Sequence, residues 1–509
     1  MYLAGIGTSA EQDPHGVAIR DRAGALTWTQ VAEQVRGAAA SMLALRSACG
    51  PDARVGVTGD NAAPTLIAHA AGLLTGVGTV ALHRQGTAKE LAQELGDTGC
   101  ALAVTGPAAA VVVRDAADTA GVREVITHGV EWADFVGRPS TEFSLQGRPV
   151  RPLLVFTSGT TGRAGATEVS WLKSPAADAQ AYVEAISADS GFPAGPHLVV
   201  GPLQHNGPLT SLRHLLSGQP VIVLDRFDAE EVLRLIQEHR ITSSVMVPTH
   251  FGRLLALPEA VRGDYDVSSL QVIAHTGSAC PAQVKRAMIA WWGPIFNEAY
   301  GGSEIGTVCR IGSADWLAHP GSVGRAVAPL AIEAYDEAGQ VQPRGATGVL
   351  GITLPPGRAV RFLGDEAKSA RAYLAPGVAT LGDVGHVDAD GFVFITDRVS
   401  DMVVSGGVNL YPAECEQVLV RHPDVAEVAV IGVPDADLGE TLLALVVPAT
   451  GSVDGAALDA FCRTELAGYK CPRAYELVPA LTRNEMGKLD KRALREPYWT
   501  ASPTEMDPA

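Results

Sequence analysis

The chain is short of several things, and each shortage closes a class of function. Its seven cysteines, Cys49, Cys100, Cys280, Cys309, Cys415, Cys462 and Cys471, are odd in number, and none forms a C-x-x-C pair. Neither a disulfide framework nor a zinc site is indicated, and incidental thiols in a reducing cytoplasm are the reading. Positive charge is scarce: 39 Lys and Arg stand against 56 Asp and Glu, a net charge of −17. That disfavours a general nucleic-acid binder or a protein held on anionic membranes by a basic surface. Met1–Gly16 has no basic start followed by an apolar core, so it is not read as a signal peptide. The most apolar stretch, Leu66–Leu82, is broken by His69 and three glycines, and it predicts a buried helix and strand rather than a membrane span. No Gly-Lys-Ser/Thr ending is present where a Walker A loop would need one.

What is there is enough for at least two domains: 509 residues, 47% of them hydrophobic and 19% charged. Between Arg54 and Leu224 apolar strand-like runs alternate with helical patterns, and the spacing predicts strands at Arg54–Thr58, Gly78–Leu82, Ala101–Thr105, Glu124–Thr127, Leu153–Thr157, His197–Val200 and Pro220–Leu224. Helices over Asp228–His239 and Pro281–Trp292 alternate with strands at Thr242–Val247 and Leu270–His275. The alternation argues for layered α/β sheets with largely parallel strands. After Ser313 short β-runs and turns predict a β-rich lobe, with a hairpin at Asp390-Gly391. From Met402 the chain reads as a small α+β unit, with helices at Ala413–Val420 and Gly455–Leu466 and strands at Val425–Gly432 and Leu442–Val447. The expected domains are 1–399, 400–497 and a disordered tail over 498–509, with a hinge near Ser400.

Six segments carry chemistry. Leu153–Gly162 runs from an apolar strand into Thr157, Ser158, Gly159, Thr160, Thr161 and Gly162, hydroxyls and glycines suited to phosphate oxygens or equally to a plain surface loop. His275–Pro281 offers small residues on which a flat base can rest, or a simple strand-to-helix connection. Asn297–Gly306 sets Tyr300 before two glycines, then Ser303 and Glu304, a hard oxygen ligand of the sort Mg²⁺ takes beside phosphates. Gly382-Asp383 precedes a β-run, where an acid can hold ribose hydroxyls or make an Asx turn. Thr396–Tyr411 contains Arg398, a planar fork for oxygen ligands, and the turn Gly406-Gly407. Gly487-Lys488 puts a lysine in a loop, which alone reads as a solvated charge.

In this order the set resembles the adenylate-forming superfamily of acyl-CoA synthetases, adenylation domains and luciferases, over Leu26–Arg495. Pro202–Gly207 and Ser405–Glu416 look most like acyl- or aryl-CoA ligases. The resemblance implies a large N-terminal domain, a small mobile C-terminal domain and a cytoplasmic enzyme with ATP, Mg²⁺ and coenzyme A. It implies that Thr157, Ser158, Gly159, Thr160, Thr161 and Ser303 hold phosphates, and that Glu304 serves Mg²⁺. Gly277, Ser278, Ala279, Tyr300 and Gly301 would frame adenine, and Asp383 and Arg398 would hold ribose. Lys488 would bridge the substrate carboxylate and the α-phosphate, and His205 would border the acyl pocket. The implied reaction is adenylation of a carboxylic acid, then transfer to the CoA thiol. The alternatives are another acceptor (a carrier protein or an amine), a non-carboxylate oxyanion such as nitrite, and a non-catalytic nucleotide binder. Two departures stand out: the phosphate loop continues Arg163-Ala164-Gly165-Ala166 where the family has Pro-Lys-Gly, and the pivot falls on Ser400. Pro202–Leu212 holds no acid for a substrate amine, which argues against an α-amino acid.

Overall fold

The computed structural model describes residues 1–139, 143–157, 165–172, 175–336, 338–399, 401–405, 408–435, 438–483 and 489–500. Two compact units result: Met1–Ala331 with Thr353–Ala379, and Ile332–Ile352 with the chain from Thr380 onward. This division by packing falls elsewhere than at 399/400, because the strands of the β-rich lobe group with the C-terminal chain.

The first unit is built on two sheets. One has the order Glu124–Thr127, Cys100–Thr105, Arg54–Thr58, Thr79–Leu82, Leu154–Thr157, Gly165–Glu168, parallel except for the last pair. Its strands are nearly continuous runs of Val, Leu, Ile and Ala, as strands covered on both faces must be. In the other sheet the parallel strands Val221–Val223, His197–Val199, Ser243–Met246, Val272–His275 and Phe296–Gly302 lie side by side. Gly306–Gly312 and Ser322–Ala326 follow antiparallel. The sequence reading has no counterpart for the helix Trp28–Cys49, which a reciprocal cap opens: Thr27 N–H donates to Gln30 Oε1 at 2.8 Å and Gln30 N–H to Thr27 Oγ1 at 3.3 Å. It lies so close to the Val130–Val136 helix that a Cβ on Gly37 would fall 1.6 Å from the Val136 carbonyl oxygen.

In the second unit, Val378–Val387 and Val393–Arg398 form the hairpin expected around Asp390-Gly391, with Gly391 at φ +84°. The C-terminal sheet pairs Val425–Asp435 antiparallel with Gly439–Pro448, flanked by the helices Pro412–Leu419 and Gly455–Arg463. Of the tail expected over 498–509, residues 498–500 lie in a helix, and the rest lie outside the described residues. The last helix, Lys491–Thr500, continues through Tyr498 and Trp499, because the Trp499 indole donates to the Gly432 carbonyl at 3.1 Å and the Tyr498 hydroxyl to Glu476 at 2.5 Å. Among the described residues no helix is long and apolar enough to cross a membrane, and the seven cysteines are unpaired.

Candidate nucleotide and acid site

In the first unit the candidate residues sit where parallel strands end, the usual place for a ligand in such sheets. Leu154–Thr157 runs antiparallel to Gly165–Glu168, with Thr157 opposite Gly165. Thr157 therefore marks the base of a hairpin whose tip, with Ser158, Gly159, Thr160 and Thr161, lies outside the described residues. Val272–His275 and Phe296–Gly302 are neighbours in parallel, with His275 opposite Glu298. Gly277, Ser278 and Ala279, exposed past the end of one strand, and Tyr300 and Gly301, at the end of the other, thus leave adjacent strands on the same side. Gly301 has no room for a side chain, since a Cβ there would meet the Gly306 carbonyl oxygen at 2.0 Å.

The Ser303–Glu304 turn is held from outside. Ser170 N–H donates to the Ser303 carbonyl at 3.1 Å. Arg358 donates to Ser170 Oγ at 2.7 Å and to the Ile305 carbonyl. Glu304 is left lining a cleft of about 280 Å³ with Thr167, Ser170, Trp171, Tyr182 and Arg358. Trp171 links this cleft to His205, because its indole donates to Asn206 Oδ1 at 3.0 Å. His205 precedes the short helix Asn206–Leu209, its ring 6.1 Å from that of His83. A Cβ on Gly207 would approach Thr276, the residue before the proposed adenine loop, to 3.9 Å. So Glu304, His205 and the Gly277 loop belong to one neighbourhood. Glu168 also lines the cleft, and one or two carboxylates on a cleft wall suit Mg²⁺, which takes that many from a protein and completes its shell with phosphates and water.

Below this surface lies a group that the motif reading passed over. Lys285, fully buried, pairs with Glu298 at 2.5 Å and sits 4.6 Å from the Trp316 ring centre. Burial pushes the Lys285 amine down and the Glu298 carboxyl up. Burial and the nearby Lys285 charge hold His275 neutral, at about 3. Glu298 is two residues before Tyr300, so this pair anchors the strand that carries the tyrosine.

In the second unit Asp383 and Arg398 are directly opposed on the hairpin, and Arg398 Nε donates to Asp383 Oδ1 at 3.0 Å. Asp383 is 3% exposed, whereas the Arg398 side chain is 61% exposed and able to reach a ligand. Next to them is a charge cluster missed in the sequence. Asp397 accepts from the backbone N–H of Arg398 and from Ala413 N–H at 2.9 Å, and Lys491 pairs with Glu416 at 2.8 Å. Burial raises both Asp397 and Glu416. Burial alone would lower Lys491, but Glu416 and Asp397 together hold it above the ordinary amine value. Lys488, Ser400 and Gly406-Gly407 lie outside the described residues.

Comparison with known proteins gives a consistent result. The family model for AMP-binding enzymes matches residues 7–355, and that for the AMP-binding enzyme C-terminal domain matches 414–488. A (methyl-dioxo-octahydroindenyl)propanoyl:CoA ligase of Mycobacterium tuberculosis is 33% identical over 92% of this chain and 93% of its own. A feruloyl-CoA synthase of an Amycolatopsis species is 31% identical over 96% and 97%. The solved structure of the amide bond synthetase McbA from Marinactinospora thermotolerans superposes with a TM-score of 0.82 at 25% identity, covering 98% of this chain and 100% of that one.

Proposed function

The chain belongs to the AMP-binding enzyme family, and from that premise we propose that it is an ATP-dependent ligase that adenylates a carboxylic acid and passes the acyl group to coenzyme A. In the first step a carboxylate oxygen bonds to the α-phosphorus and the α–β bridge breaks, releasing pyrophosphate. In the second the CoA thiolate adds to the acyl carbonyl and AMP leaves. Little covalent work falls to the protein; it orients the reactants and neutralises charge on the transferring group.

On this reading Tyr300 and Gly277–Ala279 frame adenine, Asp383 and Arg398 take the ribose hydroxyls, and Thr157–Thr161 with Ser303 hold the phosphates. Mg²⁺, when bound, neutralises phosphate charge, and Glu304 is the residue that would hold it. Lys488 spans the carboxylate and α-phosphate during adenylation. His205, close to the cleft through Asn206 and Trp171, borders the acyl group. Movement of the chain beyond Ser400 would exchange the Lys488 face for the Ser405 face between steps. The observation that carries the reading is the Ser303–Glu304 turn, pinned by Ser170 and Arg358 so that a carboxylate faces the cleft.

A second reading, adenylation with an amine as acceptor, is favoured by the likeness to an amide bond synthetase over nearly the whole chain. Pyrophosphate release from MgATP, measured over aliphatic, aromatic and polycyclic acids and nitrite, with and without CoA or an arylamine, tests both. CoA-dependent thioester formation supports the ligase, and amide formation without CoA supports the second reading. Release only with nitrite and an arylamine, or none with any partner, overturns both.

A further inference from the structure

One cation beside the hairpin is unaccounted for. Lys368 lies in the short helix Glu366–Arg371, far along the chain from Gly165, and nothing in the sequence links the two. The structure brings them together. Thr167 Oγ1 donates to the Arg361 carbonyl at 2.9 Å, and Leu363 N–H donates to the Ala166 carbonyl at 2.8 Å, so the segment from Arg361 runs as an added edge beside Gly165–Glu168. The Lys368 stem then folds over Gly165: a Cβ on that glycine would lie 2.6 Å from Lys368 Nζ and 3.4 Å from its Cδ. The ammonium rests 4.3 Å from the Phe362 ring centre, is shut away from solvent, and has no hydrogen-bond partner among the described residues.

A buried ammonium with three donors and no acceptor is costly, and an arriving anion relieves that cost. Burial lowers the Lys368 amine, and the nearby charges of Asp365 and Glu304 oppose that shift. The position is the foot of the hairpin whose connecting sequence is rich in hydroxyls and whose first strand ends in Thr157. Glu304, the candidate Mg²⁺ ligand, is close enough for its charge to be felt. Phosphate oxygens bridging a metal ion and an ammonium are a stable arrangement.

We propose that Lys368 is a nucleotide-binding residue that supplies the positive charge for the ATP polyphosphate at the foot of the Thr157–Gly165 hairpin, the role for which the segment Arg163–Ala166 holds no lysine. The proposal rests on the nucleotide reading above. Gly165 is part of the device, since its missing side chain is what lets the ammonium reach the hairpin.

The test is the affinity of the full-length protein for MgATP, inorganic pyrophosphate and AMP, measured by calorimetry without any acid substrate. In K368A and K368M, MgATP and pyrophosphate should bind at least about 10-fold more weakly while AMP is unchanged, with K368R restoring much of the loss. G165A should show the same pattern more mildly, because the new methyl displaces only the end of a flexible side chain. Equal weakening for ATP and AMP, or no weakening for either, would overturn the assignment while leaving the nucleotide reading intact. A wild type that binds neither nucleotide would overturn both.

Discussion

Removing Asp383 is a test whose size can be worked out beforehand. The carboxylate is nearly closed to solvent and opposes Arg398 across the hairpin, Nε to Oδ1 at 3.0 Å. If it accepts hydrogen bonds from both ribose hydroxyls, each charge-assisted bond contributes roughly 1.5–3 kcal/mol. Such bonds share one acceptor group and do not add fully, so Asp383→Ala should weaken ATP by about 2–4 kcal/mol, on the order of 30- to 1,000-fold. Folding should suffer far less. The guanidinium left behind has a side chain 61% exposed, and a pair that water can screen contributes only about 1 kcal/mol or less. The discriminating assay is a cycle with 2′,3′-dideoxy-ATP. The analogue should bind wild type and D383A about equally, because the bonds at issue are missing from both complexes. If D383A weakens the dideoxy nucleotide as much as ATP, the carboxylate acts through the hairpin and the ribose assignment is wrong.

Other outcomes follow from the same geometry. Lys488→Ala should lower adenylation about 100-fold or more with ATP affinity largely kept, because its charge serves the transition state; unchanged turnover would remove it from the mechanism. Lys285→Met strands Glu298 in the core and should cost about 3–5 kcal/mol, whereas K285M/E298L should recover much of that, as thermal melting can show. His69 and His275, buried, and His250, partly buried, are neutral, each held at about 3, chiefly by desolvation. A depressed folded value means that the unfolded chain binds the extra proton. Stability should therefore be full above about pH 6.5 and fall on acidification toward pH 3, with His69→Gln flattening the melting-temperature slope between pH 6 and 4.

Much of this was legible in the sequence, for identifiable reasons. The strands Arg54–Thr58 and Glu124–Thr127 fall at the expected bounds, because short apolar runs ending in turns admit few other readings. Asp228, read as the first residue of a helix, is its cap, accepting from Glu231 N–H. Asp383 and Arg398, fifteen residues apart in the chain, meet because the turn at Gly391 fixes the register. The helix Trp28–Cys49 was hidden by an alanine-rich composition with little contrast between faces; its one clear signal was Thr27 three residues before Gln30. Nothing in the sequence singles out Lys285, Arg358 or Lys368, because what gives them meaning is contact with segments distant in sequence. Local spacing records no such proximity.

The buried charges around Lys491 have a consequence for how the C-terminal unit comes apart. Asp397 leads into that region, Glu416 lies in its first helix, and Lys491 opens its last. Start and finish are therefore fastened by a shared counter-ion, so the chain between them is closed like a belt at its buckle. A belt does not loosen by unravelling from its free end. Once the first turn of the terminal helix lets go, two shielded carboxylates lose their cation together, and the whole segment must give way or hold as one piece. A chain stopped before Lys491 has no buckle at all.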